Sequence, residues 1–254
     1  MQALILAAGM GTRLGELTAV SPKCMLRLHG QRLIERLFDG LAGLELRRVI
    51  VVVGHGAEEL RTALGDALAG LPISYITNPQ YRTTNNIYSL ALALPALCAD
   101  DTLLIESDLV LDPAILHACA AGAAPVVAAV ATYAPWMDGT VTQVNPDGEI
   151  TCFLPRGAYD PTAATYYKTV NLYRLDRAFC ADCLAPELHA HLERAGPGVY
   201  YEEVFGRIVA HGMARMRAVV VDGIDWYEID TVADLRAAEA IFRPAQPIGR
   251  ERSG

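Results

Sequence analysis

Short apolar runs, mostly β-branched or leucine-rich, recur through the first half of the chain at Ala3–Leu6, Val49–Val53, Ile73–Thr77, Thr102–Ile105 and Val126–Ala131. Between them apolar positions return with helical spacing at about 31–42, 57–69, 86–97 and 113–121. Strand-length and helix-length segments in alternation predict an α/β fold, a mostly parallel sheet with helices on both faces. In such a sheet the chemistry collects beyond the carboxyl ends of the strands.

Past residue 132 the rhythm changes. Thr140–Val144 and Glu149–Phe153 flank Pro146-Asp147-Gly148 and read as a β-hairpin, with Tyr166–Tyr173 as a further strand. Residues 132–175 are therefore expected to form a β-rich lid or acceptor-binding insertion. Helical patterns return at 176–194 and 201–211, a strand is expected at Arg217–Val221, and Thr231–Phe242 reads as a last helix, with Thr231 as its cap and Asp234 completing the box. Residues 1–242 are expected to make a single domain, and 243–254, rich in proline and charge, a flexible tail.

A chain of 254 residues with 52% apolar content can bury a large core. No apolar run approaches the roughly 20 residues of a membrane span, and the N-terminus lacks a basic leader before its first apolar run. A cytoplasmic protein without membrane contact is expected. Six scattered cysteines in a chain of this size read as reduced thiols, and Cys180-Ala-Asp-Cys183 as packing thiols rather than half of a zinc site. The net charge of −8 argues against a nucleic-acid partner. A small polyphosphate remains compatible with it if a metal ion and local cations offset the repulsion.

The stretch LAAGMGTRLG at positions 6–15 follows the first apolar run directly. Leu14 stands where a dinucleotide fingerprint needs its third glycine, and Gly11-Thr12-Arg13 lacks the lysine of a P-loop. What remains is a strand followed by a glycine-rich loop whose N–H groups can approach an anion, with Arg13 as a planar cationic fork. Ser21-Pro22-Lys23 then sets a lysine in a proline-fixed turn within reach of the same anion.

The run LAAGMGTRLGELTAVSPKCMLRLHGQRLIERLFDGL resembles the start of the nucleotidyltransferases that activate sugar phosphates and small phosphorylated alcohols, whose pattern is LAAGxGxRxxxxTxxxPKxxLxxxGxxLIxxxL. Asn85-Asn86-Ile87-Tyr88-Ser89-Leu90 resembles the NNIYSL run of the choline-phosphate cytidylyltransferases. Lys168-Thr169-Val170-Asn171-Leu172-Tyr173 resembles a KTVNIY run in the phosphonate cytidylyltransferases. The resemblance implies the Rossmann-like nucleotidyltransferase fold and a nucleotide site built from Leu6, Ala7, Ala8, Gly9, Gly11, Thr12, Arg13, Asn78, Thr84, Asn85, Ser89 and Glu106. Thr84 or Asn85 can also cap the helix that follows.

Leu103–Asp108 reads as a strand ending in acids, placed to hold Mg²⁺ on a triphosphate. Glu228 and Asp230 alternate with Tyr227 and Ile229, so in an extended segment both acids face one way. In the family that the chain resembles, the aspartates matching Asp108 and Asp230 bind the metal. The resemblance implies the same here, with Arg13 and Lys23 as catalytic cations. Lys23, Trp136, Lys168, Tyr201, Glu203 and Glu228 are the expected acceptor contacts. Aromatic and acidic residues would suit a quaternary ammonium, while Arg156, Lys168 and Arg174 would suit a more anionic acceptor; Trp226 and Tyr227 could equally be core residues.

The implied reaction is transfer of CMP from CTP to a small phosphonate with release of pyrophosphate. Phosphocholine is the second acceptor, ahead of a sugar 1-phosphate nucleotidyltransferase and of a regulatory module without chemistry. A homodimer is the expected assembly only because dimers are the commonest closed form.

Overall fold

The computed structural model describes residues 1–242, and the tail expected at 243–254 lies outside the described residues. The chain opens with strand β1 (Gln2–Ala7), then a 3₁₀ stretch at Thr12–Thr18 and a small hairpin of β2 (Arg27–Leu28) and β3 (Gln31–Arg32). Helix α1 (Leu33–Leu41), β4 (Val49–Val53), α2 (Ala57–Leu64), β5 (Ala67–Leu68) and β6 (Leu71–Thr77) follow. Next come α3 (Asn86–Leu92), α4 (Leu94–Leu97), β7 (Thr102–Glu106), β8 (Leu109–Leu111), α5 (Pro113–Ala120) and β9 (Val126–Thr132).

In the second half, β10 (Val141–Val144) and β11 (Ile150–Leu154) form the expected hairpin, and β12 (Tyr167–Leu175) is a long strand. After it come α6 (Arg177–Phe179), a π turn at Cys180–Leu184, α7 (Ala185–Ala195), α8 (Glu202–Ala210), β13 (Met216–Val220), β14 (Trp226–Glu228) and α9 (Val232–Ile241).

Strands β6, β4, β1 and β7 lie side by side in parallel. β12 pairs antiparallel with β7 on one side and β9 on the other, β13 extends the sheet beyond β9, and the β10–β11 hairpin branches from the start of β12. β1 and β4 are buried at every position because both faces of the sheet are covered, which is why they read as unbroken apolar runs rather than alternating ones. Ile34, Leu37, Phe38 and Leu41 of α1 close one face, and Ile87, Leu90, Leu184, Leu188 and Phe205 close the other.

Element ends differ from the periodic reading for local reasons. The helix expected over 57–69 stops at Leu64, because Gly65 leaves the helix with φ 64° and a short strand follows. The helix expected over 86–97 divides at Ala93, where Pro95 enters the first turn of α4 and cannot donate back into α3. At the last helix, Thr231 accepts from the Asp234 N–H and the Asp234 carboxylate returns the bond to the Thr231 N–H, a complete capping box.

One contact sets the loops at the top of the sheet. Gly56 has φ 60°, and a Cβ there would stand 2.4 Å from Cδ of Pro22, the residue before Lys23. The Lys23 turn is thus seated against a backbone that only glycine supplies without strain. Gly56→Ala is expected to lower unfolding stability by about 2 kcal/mol, read as a shift in urea midpoint at unchanged m-value.

Candidate active site

Beyond the carboxyl ends of β1, β4 and β7 lies a cleft of about 740 Å³. The glycine loop forms one wall. Gly11 turns the chain with φ 60°, the Thr18 hydroxyl donates to the Gly11 carbonyl at 2.8 Å, and a Cβ on Gly54 would meet the Ala8 carbonyl at 2.7 Å. The loop is therefore held from two sides. Leu6, Ala7, Ala8, Gly9, Gly11, Thr12 and Arg13 all line the cleft, as the sequence led us to expect.

Asn78, Thr84, Asn85, Ser89 and Glu106 line it as well. Asn78 is 2% exposed and donates to both the Thr84 and Ser89 hydroxyls, at 3.1 and 3.0 Å. Asn85 caps α3 by accepting from the Asn86 N–H. Asn86 goes beyond the expected set. Its amide donates to Glu106 at 3.2 Å and accepts from the Tyr201 N–H at 3.0 Å, tying α3 to the floor of the cleft.

Asp108 and Asp230 meet because β8 and β14 pair antiparallel, with Leu109 opposite Glu228, and because the Ile229 N–H donates to the Asp108 carbonyl at 3.0 Å. Asp108, Glu228 and Asp230 each offer an oxygen within 4.8 Å of the others. Lys23 lies among them, its Nζ 2.7 Å from Asp108 and 2.6 Å from Asp230. Arg13 reaches Asp230 at 2.8 Å and Asp138 at 3.4 Å, and Arg156 reaches Asp138 at 3.0 Å. Both expected catalytic cations thus rest on carboxylates. Oδ1 of Asp108 is buried without a hydrogen-bond partner. An all-oxygen set with one orphaned carboxylate oxygen fits a hard divalent cation such as Mg²⁺, and the Lys23 ammonium stands in for part of that positive charge.

A second cavity of about 320 Å³ adjoins the cleft and shares Arg13, Asp138, Arg156, Lys168, Glu228 and Asp230 with it. Trp136 stacks on Tyr227 there, with ring centres 4.9 Å apart and planes 9° apart. Trp226 borders this cavity too, but it is 8% exposed and packs into the core. Lys168 is 2% exposed and pairs with Glu228 at 3.1 Å.

Two expected acceptor contacts are placed elsewhere. Tyr201 is fully buried, packed edge-on against Tyr173 and Phe205. Glu203 faces His191 of α7 at 3.2 Å. Their neighbours Tyr200 and Glu202 line the cleft instead. Adjacent helical residues point about 100° apart, so a one-residue error of phase at the start of α8 exchanges cleft for core at Tyr201 and cleft for the exposed, α7-facing side at Glu203. Asn171 also lines the cleft; a polar, weakly strand-forming residue between Val170 and Leu172 is the sequence signal that marks it.

So many buried carboxylates perturb one another. Burial, then Asp108 and Glu202, raise the pKa of Glu106 well above the ordinary carboxylate range. Burial raises Glu228, with Lys168 opposing and Asp108 and Asp230 adding to the rise. Burial disfavours the charge on Lys23, but Asp108 and Asp230 more than offset it and hold the ammonium protonated above its usual range.

Glu202 is pushed by burial from 4.5 to about 7. The unfolded chain then releases the Glu202 proton before the folded one does. This group therefore lowers stability progressively as pH rises from about 4.5 to about 7, and its cost is constant above that. Glu202→Gln is expected to stabilise the ligand-free protein at pH 8 by on the order of 2 kcal/mol and to have a much smaller effect at pH 4, as measured by denaturant titration at the two pH values.

Comparison with known proteins accords with this geometry. A CMP-5'-(3-aminopropyl)phosphonate synthase of Streptomyces rubellomurinus is 37% identical over 252 residues, 96% of this chain but 39% of that protein. A 2-aminoethylphosphonate cytidylyltransferase of Lancefieldella rimae is 33% identical over 109 residues, 43% of this chain and 43% of its own. The chain spans less than half the length of these relatives. Among solved structures, the CTP:phosphocholine cytidylyltransferase of Streptococcus pneumoniae superposes with a TM-score of 0.76 at 20% identity, covering 94% of this chain and 98% of that one, which shows a shared fold. The MobA-like NTP transferase domain matches residues 3–199, and the chain belongs to that family.

Proposed function

We propose that this chain is a CTP-dependent cytidylyltransferase that joins CMP to a small phosphonate and releases pyrophosphate. The observation that carries this reading is the convergence of the glycine loop, Lys23 and the Asp108–Asp230 pair on one cleft, beside a second cavity suited to a small acceptor. The similarity to an aminopropylphosphonate-activating protein over nearly the whole of this chain supports the choice of acceptor.

In this reading a phosphonate oxygen attacks the α-phosphorus of CTP. The new P–O bond forms as the bond to the β-phosphate bridging oxygen breaks, and the electron pair leaves with pyrophosphate. The phosphonate oxygen is already ionised near neutral pH, so no general base is needed. Positioning and charge neutralisation supply most of the catalysis. The loop N–H groups and Arg13 hold the β- and γ-phosphates, and Lys23 steadies the α-phosphate or the incoming oxygen. Both cations exchange carboxylate partners for phosphate oxygens as the nucleotide enters. Asn78, Thr84, Asn85, Ser89 and Glu106 surround the nucleoside.

Asp108 and Asp230 would hold magnesium, which when bound neutralises phosphate charge and polarises the α-phosphate. Lys168 and Glu228 border the acceptor, and the residues on either side of the β10–β11 hairpin, 138–140 and 155–156, close that side of the cleft, while β12 belongs to the main sheet rather than to the expected insertion. Among the described residues no helix is long and apolar enough to cross a membrane. We place the enzyme in the cytoplasm, where its six free cysteines stay reduced.

Phosphocholine is kept as a second acceptor, because the Trp136–Tyr227 stack beside Asp138 would suit a quaternary ammonium. Pyrophosphate release with CTP and Mg²⁺ should be fastest with one phosphonate of a panel that includes 2-aminoethylphosphonate, 2-hydroxyethylphosphonate, phosphonoformate, phosphocholine and glucose 1-phosphate. Fastest turnover with phosphocholine would favour the second acceptor, and turnover only with the sugar phosphate would overturn both. Asp108→Asn and Asp230→Asn should each cut kcat about 100-fold or more, and Lys23→Ala comparably, on the scale of lost transition-state charge stabilisation. Circular dichroism would check that each variant keeps its fold.

A further inference from the structure

Three residues other than glycine have positive φ among those described: His29, Ala69 and Asn171. His29 and Ala69 are exposed, and each precedes a glycine in the turn of a small hairpin, where left-handed backbone is the rule. Asn171 is different. It is 7% exposed, lies inside β12, and has φ 60°.

The strand breaks register there. Thr169 pairs with Val130 and Tyr173 with Ala128, so β12 advances four residues where β9 advances two. Straight pairing would satisfy the sheet without this break. A left-handed, buried, non-glycine residue is a strained arrangement that persists only where its surroundings enforce it, and such residues gather at working sites.

The break directs a set of side chains onto one carboxylate. The Thr169 hydroxyl lies 3.1 Å from Oδ1 of Asn171, which orients the amide, and Nδ2 donates to Oε1 of Glu228 at 3.1 Å. The neighbouring Lys168 holds Oε2 of Glu228 at 3.1 Å. Two residues of β12, Lys168 and Asn171, therefore grip the two oxygens of Glu228, a carboxylate in the wall shared by the two cavities, and Thr169 steadies Asn171.

We propose that the left-handed break at Asn171 is a positioning device for Glu228, setting the direction in which that carboxylate meets the acceptor. Asn171 is a positioning residue that acts through Glu228. The identity of the acceptor rests on the function proposed above, so the test measures binding apart from turnover.

Trp136 and Trp226, the two tryptophans of the chain, both line the smaller cavity. Intrinsic fluorescence titrated with 2-aminoethylphosphonate therefore reports on that cavity directly. Asn171→Gly keeps the backbone conformation accessible and removes the amide; Glu228→Gln removes the charge that the amide orients. Each single variant is expected to raise the acceptor Kd about tenfold. Asn171→Gly placed on the Glu228→Gln background should add less than twofold, since the residue it acts through is already altered. KM for CTP should stay within twofold throughout.

Full multiplication of the two losses would overturn the proposal, and so would an unchanged Kd in Asn171→Gly. A rise in KM for CTP without a change in acceptor Kd would make Asn171 a nucleotide contact and overturn it equally. Asn171→Ala, which must bear the left-handed backbone, should melt below Asn171→Gly; a failure of the alanine variant to fold leaves the glycine cycle intact as the test. A native protein that binds the phosphonate but releases no pyrophosphate would refute cytidylyl transfer and leave the cycle readable. No fluorescence response of the native protein would overturn the positioning role.

Discussion

Three carboxylates with oxygens within 4.8 Å of one another repel strongly in a cleft partly shielded from water. Two unit charges 4 Å apart interact by about 4 kcal/mol at the effective dielectric of a protein surface. The fold accepts this because the repelling groups sit on backbone that is otherwise well anchored. β8 and β14 are paired, Ile229 is fully buried between Glu228 and Asp230, and Trp226 is packed into the core. Lys23 then supplies a positive charge in contact with both Asp108 and Asp230. Apolar packing thus fixes the acids in place, and the cation offsets their repulsion.

That arrangement makes the resting site a set of exchangeable ion pairs. Arg13 stands on the glycine loop and Lys23 in the turn that follows, yet both pair with Asp230 across the cleft. Under the proposed function, an incoming triphosphate would compete with those acids for the same two cations. A divalent cation would compete with the two basic residues for the same acids. Neither needs a large movement of the main chain, since the glycine loop is already held by Thr18 and by the close approach of Gly54 to Ala8.

Much of this was legible in the sequence, and the parts that were not share a physical cause. Fully buried strands such as β1 and β4 announce themselves by composition, and Asp108 and Asp230 by standing at strand ends. The Thr231 cap was readable because its bonds are local. Errors arose where one residue of phase decides direction, as with Tyr201 and Glu203 against Tyr200 and Glu202 at the start of α8. Asn86 and Asn171 stood in the runs that carry the resemblance but were given no role, because their bonds reach partners 20 and 57 residues away, a relation that periodicity does not carry.

The small β8–β14 pair has one more implication. Asp108 is synthesised along with the glycine loop, Lys23 and the strands that carry them. Asp230 comes 122 positions later, on a two-stranded ribbon separate from the main sheet. A nascent chain therefore shapes its glycine loop well before the acidic pair is complete. Until β14 docks, Lys23 has a single aspartate to lean on. The closing of this ribbon is the moment at which the three carboxylates come together.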